Sequence, residues 1–159
     1  MKIKLYKGTA ASEESIVAFQ NFLGGTLSET VKKFLRSFDG AEPESNIFSA
    51  GEANESGVNR FIPLRSIPTE ISRMRGLSWR AYPIAWAEGG NYVVIDENAQ
   101  GAVFFWDHEL VEPLTKIASD FDSFLDQLMP FDPSSIKLNP SQIKKAWVNP
   151  EFLKSLKEK

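Results

Sequence analysis

Residues 81–107 constrain the fold more than any other part of the chain, because three β-rich runs are separated there by two turn signals and neither side of the resulting ribbon is polar. Gly89-Gly90 has the composition of a two-residue hairpin turn, and residues 96–101 form a longer polar loop ending in glycine. Pairing through these turns places Trp86 opposite Val93 and Val93 opposite Phe104. Period-two alternation then puts Tyr82, Ile84, Trp86, Val93, Ile95, Phe104 and Trp106 on one face, and Ala81, Ala85, Ala87, Tyr92, Val94, Val103 and Phe105 on the other. A sheet apolar on both sides must be covered twice, or must leave part of one face for a partner.

Helices supply the cover. Ile16, Phe19 and Leu23 recur at helical spacing from a start near Ser12, with Glu13 and Glu14 in the first turn and Gly24-Gly25 as terminator. Thr26-Leu27-Ser28-Glu29 has capping-box spacing and opens a second helix with the stripe Leu27, Val31, Phe34, Leu35, Phe38, ended by Asp39-Gly40. Residues 42–57 read as loops around one brief strand at Ile47-Phe48, residues 60–64 as a second strand, and residues 66–70 as a short helix. Ser119 is the expected N-cap of a helix to Met129, with Phe121, Phe124, Leu125 and Leu128 as its apolar stripe. Pro130, Pro133 and Pro140 mark a linker, and Asn149-Pro150 caps a terminal helix carrying Phe152, Leu153 and Leu156. The expected organisation is one α+β domain over 1–130, its central, mainly antiparallel sheet flanked by N- and C-terminal helices. Residues 131–159 then form a linker and a short helical extension.

A chain of 159 residues that is 42% hydrophobic is large enough for a self-sufficient core. It has no cysteine, which rules out disulfides and thiolate chemistry, and no apolar run long enough for a membrane helix, so a cytoplasmic protein is expected. The net charge of −3 hides a segregation: residues 81–132 carry ten acids and only Lys116, a net −9, whereas residues 133–159 carry six lysines and two acids, a net +4. An acidic middle argues against direct nucleic-acid binding and favours a basic protein partner.

Three passages together resemble the SUKH superfamily: residues 90–96 (GNYVVID), 101–109 (GAVFFWDHE) and 117–125 (IASDFDSFL). Phe38-Asp39-Gly40 is similar to the aromatic turn that follows the first helices of that family. The superfamily contains SMI/KNR-type regulators of cell-wall assembly and bacterial immunity proteins of polymorphic toxin systems. The resemblance implies a central sheet flanked by helices and a function by binding. For a bacterial member it implies neutralisation of a toxin, often a nuclease, by stoichiometric binding; the alternative is a regulatory or scaffolding domain.

Chemistry by the chain itself is not expected. The one histidine, His108, lies between Asp107 and Glu109, and adjacent strand residues point to opposite sides, so they do not converge on a metal. No Gly-x-Ser-x-Gly elbow or phosphate-binding glycine pattern occurs, and no carboxylate pair stands out for acid–base work; a hydrolase using acidic residues, with Asp96 or Asp107 as candidates, is the remaining and less favoured alternative. We therefore expect no catalytic residue, no metal and no cofactor. The candidate partner surface combines acids at strand ends with neighbouring aromatics: Trp86, Glu88, Tyr92, Asp96, Glu97, Trp106, Asp107, Glu109 and Glu112. Oligomeric state is not legible in the sequence.

Overall fold

The computed structural model describes residues 3–52 and 54–135. In chain order its elements are β1 (Leu5–Tyr6), α1 (Glu13–Leu23), α2 (Glu29–Phe38), β2 (Glu42–Pro43), β3 (Ile47–Gly51), β4 (Asn54–Phe61), α3 (Ile67–Ile71), β5 (Ala81–Ala87), β6 (Tyr92–Asp96), β7 (Ala102–Trp106), β8 (Leu114–Ala118) and α4 (Phe121–Gln127). Strands β3 to β8 form one antiparallel sheet in sequence order, and β1 pairs with β2 in a small second sheet. This is the α+β arrangement expected, with the meander at its centre.

The helices begin and end where backbone chemistry allows. The Ser12 hydroxyl accepts the Ser15 N–H at the start of α1, and Gly24 ends it in the left-handed region at φ 78°. Helix α2 starts from Ser28 and not from Thr26: Leu27 is buried and its N–H donates to Gln20 Oε1, so residues 26–27 form the tight link between the helices. Asp120, not Ser119, caps α4, accepting the Ser123 N–H at 2.8 Å while Ser119 donates to the Asp120 carboxylate. That helix stops at Gln127 because Met129 leaves it to exchange two backbone hydrogen bonds with Ile47, each 2.9 Å.

The register of the meander differs from the expectation by one residue. Ala87 N–H donates to Asn91 C=O across a three-residue turn, Glu88-Gly89-Gly90, in which both glycines have positive φ (71° and 80°). Trp86 therefore faces Tyr92, and a five-residue loop pairs Asp96 with Ala102 and Val93 with Phe105. A bulge between Pro83 and Ala85 adds a further shift. One face carries Tyr82, Ala85, Ala87, Val93, Ile95, Val103 and Phe105; the other carries Ala81, Trp86, Tyr92, Val94, Phe104 and Trp106.

Both faces are covered. On the first, Phe19 of α1 meets Tyr82 edge-on at 5.4 Å, Phe34 of α2 packs on Phe61 and on Phe121 of α4, and Phe124 reaches Phe48 at 5.5 Å. On the second, Met74 and Leu77, which follow α3, pack over Ala81, Val94 and Trp106, and the Trp106 indole N–H donates to Arg75 C=O at 2.8 Å.

Residues 42–57 hold more strand than their composition suggests, since β3 and the eight-residue β4 form a hairpin there, and β4 ends at Phe61 instead of running to residue 64. Strand β8 was likewise not anticipated. The terminal helix after Asn149 lies outside the described residues. Among those described, no helix is long and apolar enough to cross a membrane.

Candidate protein-binding groove

The six-stranded sheet curls until β3 approaches β8 within 8 Å between Cα atoms, yet the two strands do not pair. Phe48 of β3 and Phe105 of β7 close one stretch of this seam with rings 5.7 Å apart, and Met129 seals another through Ile47. What stays open is a groove of about 600 Å³ whose lining includes Ala50, Gly51, Phe105 and Thr115, with the turns at Glu88–Asn91 and Asp107–Leu110 at its end. Four carboxylates line it: Glu52, Glu55, Glu88 and Asp107. Among the described residues no lysine or arginine lines it, and none of the four is ion-paired.

A second groove of about 340 Å³ adjoins the first and shares Glu55, Ser56 and Glu88 with it. Its remaining lining is Ile47, Met129, Pro130, Phe131 and Asp132, with Met129 and Phe131 about half exposed. Glu88 is the hinge of the pair. Its carboxylate lies over Gly57, where any Cβ would come within 2.9 Å of Oε1. The result is a trough lined with acids and edged by apolar side chains, a combination suited to a basic protein surface.

The turn at the end of the trough is held from outside. Arg75 donates to the carbonyls of His108, Leu110 and Val111, Asp107 Oδ1 accepts the Glu109 N–H at 2.9 Å, and Asn91 Oδ1 accepts both the His108 N–H and, at 2.8 Å, its Nδ1. His108 thus anchors a loop, and among the described residues no cluster of three or more His, Asp or Glu is placed to hold a metal.

The nine residues singled out from the sequence divide into three groups. Glu88 and Asp107 line the groove, and Glu109 and Glu112 stand exposed on the turn after β7. Asp96 and Glu97 lie at the opposite end of β6, roughly 15 Å away at ~3.3 Å per residue. There they hold structure together: Asp96 accepts from Ser78 and from Asn98 N–H, while Glu97 accepts the Tyr82 hydroxyl at 2.8 Å and the Ser28 N–H at 3.3 Å. Replacing Glu97 by alanine strands the wholly buried Tyr82 hydroxyl and removes a tie to the start of α2. The expected loss of about 1–3 kcal/mol is measurable by urea denaturation.

Trp86, Tyr92 and Trp106 form the third group, facing one another across β5, β6 and β7: Trp106 and Tyr92 share a cluster with Met74 and Leu77, Trp86 packs against the main core, and Trp106 is buried while the other two are half-buried. Tyr92 donates to the buried Glu70 carboxylate at 2.6 Å, and Glu70 also pairs with Arg73 at 2.9 Å. Burial first, and then the bond to Glu70, push the Tyr92 phenol from 10.0 up to about 12. An unfolded tyrosine releases its proton near 10, so the stability held by the neutral phenol is intact below that pH and is lost between pH 10 and 12. The urea midpoint is expected to fall across this window, and less steeply in Tyr92→Phe. Tyr82, also raised, by burial and by Glu97, keeps part of the slope in that variant.

Glu52 and Glu55 escaped the sequence reading. They sit in a polar stretch with no apolar alternation, and it is the β3–β4 hairpin and its pairing with β5 that bring them to Glu88.

The family model described as SMI1 / KNR4 family (SUKH-1) matches residues 10–127, well over half of the chain. None of the curated proteins matches it.

Proposed function

The chain belongs to the SMI1 / KNR4 family (SUKH-1), and from that premise we propose that it is a non-enzymatic protein-binding domain, an immunity protein that neutralises a cognate toxin by occupying it. The observation that carries this reading is the acid-lined trough between β3 and β8. Four carboxylates without counter-charges among the described residues present to a basic cleft the kind of charge a nucleic-acid substrate would present. A toxin that acts on nucleic acid needs such a cleft, so occupying it blocks substrate without any reaction on this chain. A cytoplasmic location, where such a toxin would act, belongs to the same proposal.

Co-expression tests it. The chain is expected to rescue cells from the toxin encoded beside its gene and to co-purify with that toxin at a fixed stoichiometry. Undiminished killing by the toxin in cells that contain soluble chain refutes the immunity role. A gene neighbourhood without any toxin-bearing open reading frame supports the second reading, a regulatory or scaffolding domain that uses the same trough for a basic housekeeping protein.

A further inference from the structure

The acid-lined trough lies beside the end of the described chain, after which the sequence becomes basic. Phe131 and Asp132 line the smaller groove, and the described chain ends three residues later at Ser135. Beyond it the sequence continues for 24 residues with Lys137, Lys144, Lys145, Lys154, Lys157 and Lys159 against only Glu151 and Glu158, and with Trp147, Phe152 and Leu153 interspersed. The trough offers complementary chemistry on both counts: carboxylates at Glu52, Glu55 and Glu88, and exposed apolar groups at Met129 and Phe131.

Building on the reading of the trough as the partner site, we infer that residues 136–159 are its resident occupant, a tethered basic segment that a toxin must displace. Reach imposes no obstacle: 24 residues extend to about 80 Å, and even as a helix to about 36 Å, while the groove begins at Asp132. A tether of this kind presents its lysines to the trough at roughly millimolar effective concentration, so contacts too weak to hold a free peptide suffice. The consequence for recognition is selectivity. A weakly basic protein does not compete with the tether, whereas a toxin with a deep basic cleft does.

Zero-length carbodiimide coupling of the full chain, read by peptide mass spectrometry, tests this directly because it joins only amines and carboxylates already in contact. The exposed pair Lys7–Glu42, 2.8 Å apart, is the internal control. Amide links are expected between lysines of residues 136–159 and Glu52, Glu55 or Glu88. Their yield should be unchanged on dilution and should fall by more than half between ~0.01 M and ~1 M salt, as the Debye length shrinks from ~30 to ~3 Å. Trypsin cleavage after Lys144 and Lys145 should quicken severalfold in the Glu55→Gln/Glu88→Gln variant. Absence of those links while Lys7–Glu42 couples overturns the inference, as do links that vanish on dilution, which would assign the segment to a second copy. If toxin capture still depends on Glu55 and Glu88 when no such links form, the partner site stands and the tether alone falls. If the links form but toxin capture ignores both residues, the reverse holds.

Discussion

Phe48→Ala is expected to lower the unfolding free energy by about 3–5 kcal/mol, the usual cost of emptying a fully buried aromatic position. Phe48 has no exposed surface and joins three elements that are otherwise distant in sequence: its ring meets Phe105 of β7 at 5.7 Å and Phe124 of α4 at 5.5 Å while its backbone belongs to β3. No neighbour can collapse into the space without moving the helix or opening the seam between β3 and β8. Domains of this size are stable by only ~5–15 kcal/mol, so the variant should be partly unfolded near body temperature. Urea titration with an unchanged slope checks the value; a loss below ~1 kcal/mol would mean that the seam is not a structural joint.

The second large effect concerns binding. Glu55→Lys together with Glu88→Lys is expected to weaken capture of the neighbouring toxin by roughly 3 kcal/mol, on the order of a hundredfold in Kd, because each substitution replaces an attraction with a like-charge contact. These two residues line both grooves, so no rearrangement of the partner within the trough avoids them. Neither is buried, and stability should stay within ~0.5 kcal/mol of the parent. Asp126→Lys, the same charge change per residue on the exposed side of α4, is the control and should leave affinity nearly untouched. Calorimetry at two salt concentrations separates the outcomes, and equal affinity for all three proteins would remove the trough from consideration as the interface.

What could be read in advance follows the physics of locality. Helices α1, α2 and α4 were visible because stripe, cap and terminator sit within a dozen residues, and errors at their ends reflect competing cap residues: Asp120 outcompetes Ser119, and Ser28 replaces Thr26 once Gln20 engages Leu27. The meander was visible as β5 to β7, but its register depends on a single residue in each turn, and Gly89-Gly90 does not announce that Glu88 joins them. Strand β4 was misplaced because Asn54, Ser56 and Gly57 have no intrinsic preference for a strand and become one only between β3 and β5. The site followed the same division. Glu88 and Asp107 stood out beside the meander, whereas their companions Glu52 and Glu55 come from the least legible segment of the chain.

Arg75, with three carbonyls of the turn after β7 in its grasp, fixes in advance the shape that the proposed partner would meet there. Ordering a mobile loop on association costs about 0.5–1.5 kcal/mol for each side chain immobilised, and a turn already cast in place forgoes most of that loss. The gain is expressed as a long residence time and not as a faster encounter, since encounter is governed by distant charge. Val111, 91% exposed on that turn with its carbonyl held by Arg75, would then be a stiff probe of the proposed partner: a cavity that fits it would be rewarded in full, and one that does not would find little compliance to soften the mismatch.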